Sequence, residues 1–429
     1  MQWKTDTYAG WGRALTATGE LARPERSRNI TAEGPAIGNR RSYGDAPLNS
    51  DGKATDMSRM NRIIGFEDGI VHVEAGVTLG ELTRIYAKKG YMPTVMPGTG
   101  FATVGGAIGM DVHGKNHHHA GSFGQHVTEI TLRTADGDKT ITPADDTLWR
   151  ATIGGLGQTG VILSAKLKLT PISGGQMQVT ETRAANWEQH IERLDASTAP
   201  YCVGWIDATA KGDAMGRGII EEAEVTSGDY EAPKGGKKVP LDAPSFALSK
   251  PIVKLFNTAY YNRVPAEGRT VNRSFEQFFF PLDKVQDWNK LYGKRGFHQF
   301  QCVVPTNQVD ALKAMLNAIA ESGLASPLAV LKRMGPGRGG MMSFPMEGYT
   351  LAVDFPARDA AKDLIKELIT LTAAAEGRIY FAKDSMATPA AIAGMYPEQT
   401  DWADAVNAAD PDLTFATDLT RRLNLRGAK

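Results

Sequence analysis

Hydrophobic and polar positions along the chain fall into short strand-like and helix-like runs, with glycine clusters between them. Ile70-Val71-His72-Val73-Glu74-Ala75 alternates as a strand. Thr78 then offers an N-cap to a helix through Leu79, Leu82, Ile85 and Tyr86, and Gly90 closes it. Val127 to Leu132 and Val161 to Leu169 read as further strands, the second ending at Pro171. Between Pro97 and about Gln125 neither period is evident, and a structureless stretch of that length inside a compact domain is usually functional. From about residue 173 to 375 strands mix with amphipathic helices. Val309 to Ile319 places Leu312, Met315, Leu316 and Ile319 on one face, and Gln299 to Val304 alternates as a strand. Residues 228–249, which include Lys234-Gly235-Gly236-Lys237-Lys238, are nearly aperiodic and read as a mobile loop over the substrate lobe. A basic, lipid-facing lid is the alternative for that segment.

Length adds that 429 residues exceed what one core usually supports, so two lobes are expected. Lys plus Arg (48) balances Asp plus Glu (48), which disfavours nucleic acid as a partner. Cys202 and Cys302 lie far apart and form neither a disulfide framework nor a Cys-x-x-Cys pair, which slightly favours the cytosol. The start, Met1-Gln2-Trp3-Lys4, lacks the pattern of a signal peptide, and no apolar run approaches the ~20 residues that span a bilayer. A cytoplasmic protein with at most peripheral contact with the inner membrane is expected.

Candidate chemistry concentrates in two glycine-rich loops, Gly38 to Asp45 and Pro97 to Gly109. Glycine lets backbone N–H groups turn toward one anion and lets a phosphate approach closely, so paired loops suit a pyrophosphate. Neither loop matches the dinucleotide G-x-G-x-x-G or the Walker pattern. The second loop runs into His113-Gly114-Lys115-Asn116. The histidines at 113, 117, 118 and 119 are not read as a metal site: Gly114, Gly121 and Gly124 argue against a helix, and no acidic or Cys ligand follows at a useful spacing.

Arg41-Ser42-Tyr43-Gly44-Asp45, Val104-Gly105-Gly106-Ala107-Ile108, His113-Gly114-Lys115-Asn116, Ala120 to Gly124 and Gly154 to Gly160 together resemble the vanillyl-alcohol-oxidase-type (PCMH-type) FAD-binding family. The likeness runs on through Phe297 to Pro305, Ser343-Phe344-Pro345, Val353 to Pro356, Ala382 to Ser385 and Arg421-Arg422-Leu423, and within the family it is strongest to oxidases of polyprenyl-phosphate-linked ribose. The resemblance implies an α+β, two-lobed fold. Residues 1–172, completed by 376–429, would form the FAD-binding domain, and 173–375 a substrate domain with an antiparallel sheet and flanking helices. It further implies non-covalent FAD, because Tyr43 stands where covalently flavinylated relatives carry histidine.

Carried over by position, the cofactor would meet Gly38, Asn39, Arg40, Arg41, Ser42, Tyr43, Gly44 and Asp45 in the first loop, and Gly98, Thr103, Val104, Gly105 and Gly106 in the second. Met110, Asp111, Val112, His113, Gly157, Ile162 and Tyr380 would meet the rest of it. Lys115, Gln299, Gln301, Lys332 and Lys383 would bind substrate; the alternation at Gln299 and Gln301 points both amides to one face. Lys383 would also stabilise charge on the flavin, and either His113 or Lys383 would take the hydroxyl proton. The implied partners are a polyprenyl-phosphoryl pentose and a keto-reductase that completes an epimerisation.

Departures from the pattern are Arg40 in place of glycine, a short segment from Pro24 to Ile37, Ala352 in place of cysteine, Thr350 in place of asparagine, and Phe279 and Phe280 in place of more polar residues. They keep open a soluble aldonolactone or alditol oxidase, or a flavin-binding protein without turnover.

Overall fold

The computed structural model describes residues 1–233 and 235–427; Lys234 of the expected loop lies outside the described residues. Helices and antiparallel sheets alternate along the chain in an α+β arrangement. The N-terminal strands Lys4–Ala9, Thr16–Ala22, Ala36–Ile37 and Lys53–Asp56 form a small mixed sheet. The segment from Pro24 to Ile37 is indeed brief, holding one 3-10 turn at Ser27–Asn29 and the two-residue strand Ala36–Ile37.

A second, antiparallel sheet is built around Val161–Pro171, which pairs with Ile70–Glu74 on one side and Val127–Thr134 on the other. Alternation explains the pairing: Val161, Leu163, Ala165, Leu167 and Leu169 are all buried. Thr78 caps the helix Leu79–Tyr86 with a capping box to Glu81, and a 3-10 turn carries the chain to Gly90 at φ 79°. Ile85, expected on the buried face, is exposed, and Thr83 takes the inward place. In so short a helix the i, i+3, i+4 pattern does not fix the facing of its last turn.

The stretch after Pro97 is not structureless. It holds the short helices Val104–Gly109 and His117–Ala120, followed by a 3-10 turn at Phe123–His126. Helices this short show no full period in sequence, and the second contradicts the expectation that glycines exclude a helix at the histidines.

The third sheet has eight antiparallel strands in the order Arg269–Ser274, Gln176–Ala184, Gly218–Thr226, Tyr201–Ile206, Ala329–Met334, Gly348–Pro356, Phe297–Val304 and Arg378–Ile379. The helices Val309–Ser322 and Asp359–Ala374 pack on it, the first through Leu312, Met315, Leu316 and Ile319 as expected. The C-terminal segment, expected to complete the first lobe, shares the core of this third sheet through Ile379, Tyr396, Trp402 and Leu423. It also enters the core of the second sheet through Phe415 and reaches the N-terminal loops through polar links, notably Arg422 to Asp45 and Asp418 to Ser50. No helix among the described residues is long and apolar enough to cross a membrane.

Candidate active site

A cavity of about 1480 Å³ opens between the glycine loops and one face of the eight-stranded sheet. That exceeds the ~300–1,000 Å³ of typical small-molecule sites, leaving room for a dinucleotide and a second ligand. The first loop is held in place from three directions. Ser42 O accepts from Trp11 N (2.8 Å), Tyr43 N donates to Ala382 O (2.8 Å), and Gly38 abuts Thr103 so closely that a Cβ would collide with its hydroxyl. In the second loop Thr103 caps the helix Val104–Gly109 by accepting from Gly106 N (3.2 Å). Asp283 ties this loop to the sheet side by accepting from Thr99 Oγ1 (2.8 Å) and Gly100 N (2.7 Å).

The backbone amides of Asn39, Arg40, Arg41 and Ser42 find no acceptor among the described residues, and all four residues line the cavity. Gly98 and Gly157 also line it and would carry a Cβ into open space. A run of unmatched N–H groups beside a cleft is a nest for an anion, so the residues present fit the diphosphate of FAD. Arg40 sits at φ 50°, a region unfavourable to a side-chain-bearing residue, with its guanidinium 5.8 Å from the Tyr8 ring. Arg41 lies between Trp11 (4.0 Å) and Phe101 (4.7 Å), its Nε buried without a partner. Replacing Arg40 by glycine relieves the backbone strain but frees the unfolded chain, so the melting temperature is expected to stay nearly unchanged. FAD affinity, measured by fluorescence titration of the apoprotein, is expected to fall about tenfold if the guanidinium meets a phosphate.

Most other expected cofactor positions, Thr103, Gly105, Gly106, Met110, Val112, His113, Ile162 and Tyr380, line the cavity too. Four expected contacts do not. Val104 is wholly buried, its N–H bonded to Val77 O (2.8 Å). Gly44 packs on the carbonyl of Asp384, and Asp45 is held by Arg422 at 2.6 and 2.9 Å. Asp111, wholly buried, accepts from Gly124 N (2.8 Å), Ser122 Oγ (2.8 Å), Gly339 N (2.8 Å) and Ser343 Oγ (2.5 Å). Its carboxylate staples the chain beneath the cavity.

The sheet supplies the polar floor. Period-two alternation and strand register bring Gln299 and Gln301, Thr350 and Ala352, and Lys332 to one face, all lining the cavity. Thr350, in place of asparagine, accepts from Gln301 Nε2 (3.2 Å), and Ala352 sits opposite Gln301. Gln299 is turned to Asp354, whose carboxylate also accepts from Tyr292 OH (3.1 Å). Lys115 lines the cavity with its ammonium against the Phe278 carbonyl and over the Phe278 ring at 4.0 Å. Phe279 lines the wall, whereas Phe280 packs into the core against Gly100.

His113 is the centre of a chain. Gln301 Nε2 lies 3.1 Å from its Nε2, Lys332 Nζ lies 2.9 Å from its Nδ1, and its ring packs against Phe344 and Tyr380. Burial, then the positive charges of Lys332 and its neighbours, holds its pKa well below the ordinary imidazole value, so it is neutral. If Gln301 donates to Nε2, the single ring proton sits on Nδ1 and points at Lys332, which must then accept as a free amine. Burial lowers the Lys332 pKa to about 7, which makes that state accessible. Lys332 is protonated below this value and neutral above it, so kcat/KM is expected to rise with pH through about 7. Lys332→Arg, permanently charged, is expected to lower kcat/KM at neutral pH about tenfold or more in steady-state assays.

Lys383 follows the Arg378–Ile379 strand, and its Nζ lies 3.4 Å from the centroid of the Tyr43 ring. Burial lowers its pKa from the ordinary lysine value, opposed by Asp354, whose carboxyl is itself raised by burial. A buried lysine with an accessible neutral form, facing the cavity, can take a proton from a hydroxyl. Sequence reasoning missed Trp11, Phe101, Asp283 and Asp354 as parts of this site. Of these only Asp354 left a signal, since it continues the alternation of Thr350 and Ala352.

Residues 34–142 match the FAD binding domain family. The chain is 37% identical to the decaprenylphosphoryl-β-D-ribose oxidase of Mycolicibacterium smegmatis over 98% of both chains. It is 32% identical to an uncharacterised protein of Streptomyces coelicolor, over 81% of this chain and 100% of that one. A D-arabinono-1,4-lactone oxidase of Yarrowia lipolytica is 26% identical, over only 38% of this chain and 33% of its own. FAD is therefore the cofactor toward which the two loops are shaped, and the chain is an FAD-dependent oxidoreductase. With this likeness running end to end, the chain belongs to the decaprenylphosphoryl-β-D-ribose oxidase family.

Proposed function

We propose that the chain oxidises the 2′-hydroxyl of a polyprenyl-phosphate-linked ribofuranose to the 2′-keto sugar, the first half of an epimerisation to the arabinose form that a separate keto-reductase completes. In this reading residues 1–172, completed by 376–429, hold FAD, residues 173–375 hold the substrate, and the protein works in peripheral contact with a membrane. The observation that carries it is that one cavity brings together a polar set, His113, Gln301, Lys332 and Lys383, and apolar side chains, among them Trp205, Val330, Phe279 and Leu291. A sugar fits the first set and a lipid tail the second.

FAD, when bound, supplies the acceptor for the hydride lost from carbon. Gln301, held in place by the neutral His113, orients the sugar hydroxyl, and the free amine of Lys383 takes its proton. The resulting ammonium remains over the Tyr43 ring and near Asp354, which favours its charged form. Lys115 gives a cationic point for the phosphate. Of the two groups that sequence left open as the base, Lys383 is preferred, because both ring nitrogens of His113 are already engaged.

The test is incubation with a short-chain polyprenyl-phosphoryl ribose and an artificial electron acceptor, followed by mass spectrometry. The expected product lacks two hydrogen atoms and gives both ribo and arabino epimers on borohydride reduction. Turnover of a free aldonolactone but not of the lipid-linked sugar would overturn the substrate in favour of the soluble one.

A further inference from the structure

Six of the nine exposed large hydrophobic side chains among the described residues fall in two short segments: Leu241, Phe246, Ile252, Leu255 and Phe256 in one, Leu291 in the other. The two segments form one surface. Lys237–Lys238 pairs in parallel with Val285–Gln286, Ala243 N donates to Lys290 O (2.9 Å), and Val239 N donates to Gln286 O (2.9 Å). The turn Ser245–Leu248 leads directly into the helix Lys250–Asn262. Ile252, Phe256 and Leu291 are both exposed and part of the cavity lining, so the apolar patch is continuous with the mouth of the site.

Charge is unevenly placed here although the whole chain is neutral. Residues 235–256 and 284–295 carry eight Lys or Arg against two Asp. Both acids are taken up locally, Asp242 by Arg13 (2.7 Å) and Asp287 by Lys238 (3.4 Å) and Lys290 (3.3 Å). Lys237, Lys250, Lys254, Lys284, Lys294 and Arg295 make no ion pair among the described residues. Exposed apolar side chains inside a collar of unpaired cations match an interfacial surface, in which the apolar groups enter the headgroup boundary and the cations meet anionic lipid.

We propose that this surface, Leu241 to Phe256 with Leu291 and its lysine collar, docks on an anionic bilayer and sets the cavity mouth against the membrane. The proposal rests on the reading of the substrate as lipid-linked: such a substrate lies in the bilayer, and a docked mouth takes it without passage through water. A second copy of the chain or another protein would answer the apolar patch, but neither accounts for the excess of cations around it.

The experiment is sedimentation of the FAD-loaded full chain with vesicles of phosphatidylcholine alone or mixed with phosphatidylglycerol, without any sugar substrate. Binding is expected to the mixed vesicles, weak binding to the neutral ones, and release at high salt. Leu241, Phe246 and Leu255 are 77%, 66% and 72% exposed and do not line the cavity. The triple variant Leu241→Asp/Phe246→Asp/Leu255→Asp is therefore expected to keep its flavin spectrum and its turnover of detergent-dispersed substrate, while partitioning falls at least about tenfold. Lys250→Glu/Lys254→Glu is expected to lose about fivefold or more per cation at low ionic strength.

Wild-type protein that ignores the mixed vesicles, or a triple variant that binds them as tightly, overturns the proposal. So does a wild-type dimer that the triple variant dissolves without any vesicle binding, which assigns the surface to a second copy. Vesicle binding that responds to the variants, together with failure to oxidise the lipid-linked sugar, upholds the surface and strikes the substrate reading alone.

Discussion

Replacement of Lys383 by methionine is expected to lower kcat by about 10²- to 10⁴-fold while the protein still purifies with FAD. Methionine keeps most of the stem that packs on Tyr43 but removes the amine. The proton of the substrate hydroxyl then has no acceptor, and loss of a positioned base costs on that order. The glycine-rich loops are held by Trp11, Thr103 and Ala382, so they are untouched by the change. Rapid-mixing measurement of the reductive half-reaction separates the two effects, because binding of substrate changes less than its oxidation. An unchanged reduction rate with normal flavin content would remove Lys383 from the proton transfer and return His113 to that role. Lys383→Arg is expected to rescue poorly, since a guanidinium stays protonated at every accessible pH.

The second large effect is structural. Asp111→Ala deprives two backbone amides, Gly124 and Gly339, and two hydroxyls, Ser122 and Ser343, of a shared buried acceptor. Each unsatisfied buried donor carries a penalty, and the sum is expected to reach about 3–5 kcal/mol, a loss large enough to lower the melting temperature clearly. Asp111 also lies between Met110 and His113, so FAD content in the purified variant is expected to fall with stability. Asp111→Asn keeps one acceptor oxygen and is expected to lie between wild type and alanine in chemical denaturation. A melting temperature for the alanine variant equal to wild type would show that water or rearrangement replaces the staple.

The role of Asp111 also marks a limit of sequence reading. A carboxylate in a glycine-rich loop serves a cofactor or the backbone equally well as far as residue order goes; only the approach of Gly339 and Ser343 from a distant segment decides it. The glycine loops themselves were legible, because a cluster of residues without Cβ between strand-like runs is what close approach of a backbone to a phosphate requires. The face shared by Gln299 and Gln301 was legible from a period of two. Their meeting with Thr350, Lys332 and Asp354 was not, since register between strands distant in sequence leaves no local trace.

Arg41, Trp11 and Phe101 form one stack from three separate segments, and no local pattern announces it. The helix Val104–Gly109 was invisible for a different reason: six residues with three glycines show no amphipathic period, and its placement depends on the cap at Thr103 and on bonds to Ala75 and Val77. The Lys383 segment was located through resemblance, while its hydrogen bond to the first loop, Tyr43 N to Ala382 O, emerged only in three dimensions.

Oxidation of a lipid-linked ribose by the bound flavin is tested at its root by anaerobic addition of a short-chain polyprenyl-phosphoryl ribose to the purified protein, followed through its visible absorption. A flavin band is expected at purification, bleaching on addition of the lipid-linked sugar and returning with an electron acceptor. A band that stays oxidised in the presence of that sugar would contradict the substrate, and protein that neither carries nor takes up FAD would contradict flavin chemistry altogether.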